Sequence, residues 1–226
     1  SLHALKGRMI SKHELAMKAI HVEQDLIGEH VGSQDQCCAA FGGFNRFSFS
    51  GHHDIRCQPM ILPRTVNESL QEHLVLLFTG FSRTASEIAN VQIKKTPYLL
   101  KELNEMEAMV DVAVGLLKRG IAGIEDFGRL LHESWLIKRS LTDKISNSEL
   151  DDLYEKARQL GAIGGKLLGA GSGGFMLFFV PPDRKKTFIH SLDRFMHVPF
   201  RFETTGSQIV HYTNELEVNY HAAIGG

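Results

Sequence analysis

Two acids, Glu23 and Asp35, stand twelve residues apart, and a glycine-dense loop follows about 130 residues after the second. Asp35 lies in the polar turn Gly32-Ser33-Gln34-Asp35-Gln36, directly before small and apolar residues, a glycine pair and a strand-like run. A carboxylate where a turn enters a buried helix can act as a base at the rim of a cleft. The same residue type in the same place is a good helix N-cap, and the residue alone leaves both roles open. Glu23 falls near the centre of an apolar helix face, between Ala16, Ala19, Ile20 and Ile27. A buried carboxylate is costly unless it is paired, hydrogen-bonded or bound to a metal. The distant loop, residues 164–174, contains Gly169-Ala170-Gly171-Ser172-Gly173-Gly174. It has the G-x-G-x-x-G spacing, but an apolar run at 175–180 follows it where a dinucleotide fold needs a helix. Leu167 after Lys166 also rules against a Walker loop. What remains is a tight connection between two strands: a plain hairpin turn, or an anion nest that a phosphate can approach closely. An acid turn followed by such a loop suggests phosphoryl-transfer chemistry.

The elements that must carry these residues are legible in outline. Ser11 and Glu14 form a capping-box pair, and Leu15, Ala16, Ala19, Ile20, Val22, Leu26 and Ile27 share one helical face that Gly28 ends. Residues 44–49 alternate like a strand, and 55–62 can pair with them as an edge strand containing Pro59. Residues 63–72 read as a polar turn and 73–79 as a buried strand. Residues 80–86 open a helix, and Arg83 near its start suits an anionic group. Thr96 and Pro97 mark the start of a long helix ending at Gly120, and a further helix surrounds Trp135. Ser148 and Asp151 cap another. A short strand, the glycine loop, a strand at 175–180, a helix at 183–195 and a strand at 200–204 complete a β-α-β-β-α-β order with extra helices in the first crossover. His52-His53-Asp54 and the basic run 184–186 read as solvated surface.

Composition narrows the class. The 226 residues suffice for one large or two small domains, 43% of them are hydrophobic, and the formal net charge is −1. Bulk charge therefore gives no reason to expect nucleic acid or an anionic membrane as partner. No apolar run reaches the roughly 20 residues that cross a bilayer. Cys37, Cys38 and Cys57 make an odd count with two adjacent, which argues for reduced thiols in a cytoplasmic protein. Leu2 and Leu5 resemble the tail of a helix, as if the chain were a fragment.

Three segments resemble the GHMP kinases, which include galactokinase, homoserine kinase and mevalonate kinase, and within them the heptose phosphate kinases. They are His21-Val22-Glu23-Gln24-Asp25-Leu26 through Val31-Gly32-Ser33-Gln34-Asp35-Gln36, then Phe78-Thr79-Gly80-Phe81-Ser82-Arg83-Thr84-Ala85, and Gly165-Lys166-Leu167-Leu168-Gly169-Ala170-Gly171-Ser172-Gly173-Gly174. The resemblance implies an α+β chain: residues 1–70 as the end of a nucleotide-binding domain and 71–226 as a ferredoxin-like domain, with the site in the cleft between them. It implies Asp35 as general base, Glu23 as the Mg²⁺ ligand, and Gly32, Gln34 and Arg83 as substrate-binding residues. Gly169, Gly171, Ser172, Gly173 and Gly174 become the phosphate loop. The cofactors implied are ATP and Mg²⁺, and the partner is a sugar or sugar phosphate, phosphorylated at its anomeric hydroxyl. The family's Gly-Ser-rich nucleotide loop is not among these residues and is expected before Ser1. The chain alone is then expected to be inactive, and a non-catalytic sugar-binding or sensor module is the alternative.

Overall fold

The structure is a computed structural model that describes residues 2–51, 54–80, 85–169 and 171–212, with the backbone only at 85–88. Arg83 and the His52-His53 pair lie outside the described residues. The chain forms two compact units. The first comprises Ser1–Gly28, Gly32–Pro59 and the segment from Glu203; the second comprises Glu29–Val31 and Met60–Phe202.

In the first unit, α1 (Leu2–Leu5) precedes α2 (Lys12–Ile20), a π-helical segment His21–Ile27, α3 (Gln34–Phe41), β1 (Asn45–Ser50) and β2 (Asp54–Pro59). The Ser11 hydroxyl accepts the Glu14 N–H at 3.1 Å, which starts α2 as its capping residues require. Ala16, Ile20, Cys37, Ala40 and Ile55 make the core, with Leu15, Met17, Phe41 and Phe47 against it. The expected apolar face does not run through to Gly28. Val22, Leu26 and Ile27 are exposed by 44, 68 and 62%. From His21 onward the turns are wider, and the Gly28 N–H closes on the Glu23 carbonyl, five residues back. That wider turn rotates the later side chains away from the face set by α2. β1 and β2 pair antiparallel, from Asn45 opposite Pro59 to Ser50 opposite Asp54.

The second unit runs α4 (Arg64–His73), β3 (Leu74–Phe78), α5 (Ala85–Lys95), a 3₁₀ turn Thr96–Tyr98, α6 (Leu100–Lys118), a 3₁₀ turn Gly120–Gly123, α7 (Ile124–Ser140), α8 (Ser148–Gln159), β4 (Gly164–Leu167), β5 (Phe175–Phe179), α9 (Lys185–Ser191) and β6 (Met196–His197). The strands lie side by side as β4-β5-β3-β6, antiparallel throughout. This is the α+β order expected, with helices α5, α6, α7 and α8 in the first crossover.

Several local expectations give way. Residues 63–72 are not a turn: Val66 and Leu70, four apart, bury one side of α4. Thr96 and Pro97 fall in the 3₁₀ turn, and α6 starts at Leu100. The α8 cap is Asn147, whose side chain accepts the Leu150 N–H at 3.0 Å. Asp151 instead bonds Ser146 and Arg139. In the run 184–186, Arg184 and Lys186 are exposed as expected, whereas Lys185 is half-buried and its ammonium donates to the carbonyls of Glu72 and Leu74. The last strand is β6, and residues 200–204 form none. There the Gln71 amide satisfies the Phe200 carbonyl and the Phe202 N–H in place of a neighbouring strand.

The core lies between the sheet (Val75, Leu77, Leu167, Met176, Phe178) and Trp135, Leu150, Leu153, Tyr154, Phe188 and Leu192. Backbone contact sets the α7–β4 packing. A methyl group on Gly164 would stand 2.1 Å from the Gly128 carbonyl oxygen, and one on Gly128 would stand 2.5 Å from the Phe179 ring. Glycine at both positions lets the helix lie directly along the strand that leads into the glycine loop.

Candidate functional site

The acid turn is built by the meeting of the π-helical segment with α3. Glu23 is half-buried, and its carboxylate accepts a hydrogen bond from the Gln36 amide. Gln24 donates to the Ser33 hydroxyl at 3.2 Å, a second tie between the two elements. Gln36 is 8% exposed, and its carbonyl oxygen Oε1 has no partner. Asp35, beside Gln36, is exposed in the first turn of α3. It is not the N-cap: that place belongs to Ser33, which makes no side-chain cap bond. An acid inside the first turn still interacts favourably with the helix N-terminus. Gly32 and Gln34 are exposed, and a methyl group on Gly32 would meet nothing within 4 Å. Packing therefore does not require a glycine there. Among the described residues no group of three or more His, Cys, Asp or Glu side chains gathers to hold a metal.

Burial raises all three thiols above their ordinary range, reinforced by neighbouring acids and thiols at Cys37 and Cys38. Such groups stay protonated and are poor nucleophiles.

The glycine loop joins β4 to β5, as expected, and its shape is enforced from several sides. Gly169, Gly171, Gly173 and Gly174 have φ of 77°, 139°, 151° and 99°, and Ser172 has φ 61°. Left-handed backbone explains the glycines; Ser172 needs support to adopt it. The support is explicit. The Ser172 N–H donates to the Ile145 carbonyl at 2.9 Å and its hydroxyl to the Lys144 carbonyl. Thr79, just past β3, donates from its N–H (2.9 Å) and its hydroxyl (3.0 Å) to the Gly174 carbonyl. Lys138, in the last turn of α7, donates to the carbonyls of Leu167 (3.3 Å) and Gly169 (2.7 Å). Ser172 thus works as a brace, with its amide turned to the protein and not to a ligand. Burial and neighbouring Lys166 push the Lys138 ammonium down to about 8, and burial lowers Lys166 as well. A cavity of about 430 Å³ lies beside Thr79, lined by Phe78, Gly80, Glu149, Asp152, Arg194 and Met196 among others. Gln24, Ser33, Gln36 and Lys138 were not singled out from sequence, and no local pattern marks them.

No helix among the described residues is long and apolar enough to cross a membrane. The family described as GHMP kinases C terminal matches residues 114–198. A D-glycero-alpha-D-manno-heptose 7-phosphate kinase of Campylobacter jejuni is 34% identical over 187 residues, covering 81% of this chain and 54% of the relative. The chain thus spans about half the length of that relative. The crystal structure of a D-glycero-D-manno-heptose 1-phosphate kinase from Bacteroides thetaiotaomicron superposes with a TM-score of 0.67 at 24% identity, over 93% of this chain and 60% of that one. The galactokinase of Lactococcus lactis, solved with galactose, gives a TM-score of 0.67 at 20% identity, over 91% and 62%.

Proposed function

Because the chain belongs to the GHMP kinase family, we propose that it carries the acid, metal-binding and phosphate-loop residues of an ATP-dependent sugar kinase that acts on the anomeric hydroxyl of a heptose phosphate. The observation that carries this reading is the pairing at the acid turn: an open Asp35, with Glu23 held behind it by Gln36. The similarity to a heptose phosphate kinase supports the acceptor class.

In this reading Asp35 accepts the proton of the anomeric hydroxyl as that oxygen bonds the γ-phosphorus, and ADP leaves. Little covalent chemistry is asked of the protein; alignment and charge neutralisation do most of the work. Glu23 would hold Mg²⁺, which would supply neutralisation of the phosphate charge. The residues present fit it. Mg²⁺ commonly takes one or two carboxylates and completes its shell with phosphate and water. Glu23 offers one carboxylate, and the unpartnered buried Gln36 oxygen beside it is an acceptor suited to a water of such a shell. Gly169, Gly171, Gly173 and Gly174 supply a backbone that phosphate can approach closely, while Ser172 keeps that backbone in place. Arg83 would meet the sugar's own phosphate, and Gly32 and Gln34 would line the acceptor side. The reduced thiols accord with a cytoplasmic setting.

The test is phosphate transfer from ATP to a heptose phosphate by the full-length protein, with the product's new phosphate located by ³¹P NMR. Transfer to the anomeric oxygen is expected. Transfer to another hydroxyl would refute the regiochemistry, and tight sugar binding without turnover would favour a non-catalytic sugar-binding or sensor module.

A further inference from the structure

Two lysines stand together at the shoulder of the glycine loop, and the reaction described above uses neither. Lys166 is on β4, on the face it shares with Gly164, and Gly164 abuts the α7 backbone at Gly128 and His132. Lys138 closes α7 at the loop end of that same strand, where it spends two of its N–H donors on the carbonyls of Leu167 and Gly169. The two side chains are half-buried, and the Lys138 ammonium reaches the carbonyl of Leu167, the residue next to Lys166. Among the described residues neither ammonium has a carboxylate partner, and the Lys166 ammonium makes no hydrogen bond. Holding two cations together away from water without a counter-charge is costly, and proteins rarely accept it without return. Here the cost sits directly beside a loop whose positive-φ glycines carry no side chain to bar an approaching anion.

We propose that Lys138 and Lys166 form an oxyanion seat at the entry of the glycine loop, which takes a phosphate group of the nucleotide or of the sugar phosphate. The proposal deepens the kinase reading and rests on it for the identity of the phosphate. Lys138 holds the loop carbonyls and offers its remaining donor; Lys166 offers all three of its own. Phosphate is the fitting class, because several charge-assisted donors converge on one small region. Carboxylates would find the same charges but fewer matching acceptors.

The pair can be tested without turnover, by titrating inorganic pyrophosphate, ATP and heptose phosphate separately into the full-length protein by calorimetry. Lys166→Met keeps the apolar stem and should weaken pyrophosphate binding on the order of 10–100-fold, the usual scale for a lost charged hydrogen bond. Lys166→Arg should recover most of that loss. If the nucleotide loses affinity alongside pyrophosphate, the seat belongs to ATP; if heptose phosphate does, it belongs to the sugar's phosphate. Binding should also fall as pH rises through about 8, where Lys138 releases its proton, with Lys166 on β4 as the titratable neighbour. Equal affinities for all three anions in wild type, Lys138→Met and Lys166→Met, with unchanged thermal melts, would overturn the proposal and leave the lysines as cover for apolar surface. Pyrophosphate binding that needs the lysines in a protein without kinase activity would uphold the seat and refute the kinase reading. Kinase activity with lysine-independent anion binding would do the reverse.

Discussion

The acid turn and the glycine loop are held in place by different means. Around Asp35 the order comes from a few side-chain bonds, Gln36 to Glu23 and Gln24 to Ser33, on a surface where Asp35, Gly32 and Gln34 stay open. Around the glycine loop each tie ends on a backbone carbonyl. Thr79 holds one end, Lys138 the other, and the turn at Lys144 and Ile145 holds the middle through Ser172. Behind it α7 lies so close to β4 that a methyl group does not fit at Gly164. The difference separates two kinds of failure. Changes at the acid turn should remove chemistry and leave the fold, whereas changes at the loop should damage the fold before chemistry can be measured.

The sharpest break of this contrast is Asp35→Asn in the full-length protein. Turnover should drop roughly 10²–10⁴-fold, the range for loss of a general base, with the melting temperature unchanged. Asn has similar shape but cannot take the proton, and Ser33, not Asp35, is the cap. Normal turnover by the folded variant would end the base assignment.

Next in size is Gly164→Ala, which drives a methyl group to 2.1 Å from the Gly128 carbonyl oxygen. Urea denaturation should show a loss on the order of 3 kcal/mol, or no folded protein, because backbone cannot yield as a side chain can. The same change at Gly32, where nothing lies within 4 Å, should alter stability by less than about 0.5 kcal/mol. Equal effects at the two glycines would erase the distinction between the regions.

A smaller contrast lies inside the loop. Ser172→Ala keeps the left-handed backbone and loses the hydroxyl brace, at a cost of about 1–2 kcal/mol. Ser172→Gly loses the same bond but relieves the strained φ, so it should be the milder of the two. The reverse order in thermal melts would mean that rigidity, not hydrogen bonding, is what Ser172 contributes.

The smallest effect is a pH slope. Burial holds Lys138 at about 8 in the folded chain, against its ordinary value of 10.5. Between these values the unfolded chain keeps a proton that the folded chain has released, so stability rises with pH across that window. Lys138→Met should flatten part of the rise, the remainder coming from Lys166, whose shift has the same direction. A slope identical to wild type would show that Lys138 is solvated.

What sequence alone determined was whatever local repetition or backbone chemistry can write. Leu74–Phe78 and Phe175–Phe179 are apolar runs of strand length, so the two central strands could be counted without coordinates, whereas the last strand, expected at 200–204, lies at Met196–His197. The glycine loop was legible because left-handed backbone selects glycine wherever it occurs. Ser11 and Gly28 marked the ends of their helical stretch because unpaired backbone groups at helix ends demand such residues. Tertiary structure decided the rest. The wide π-helical turn exposes Val22, Leu26 and Ile27, although their spacing fits a buried α-helical face. Gln71 replaces a strand partner for residues 200 and 202, at a separation of about 130 residues. Lys138 reaches Gly169 and Ser172 reaches Lys144 across gaps of 31 and 28 residues. Gln36 takes Glu23, thirteen residues back. Each of these contacts exists because two distant segments are brought together by packing, and the partner of a polar side chain is chosen only when that packing is complete.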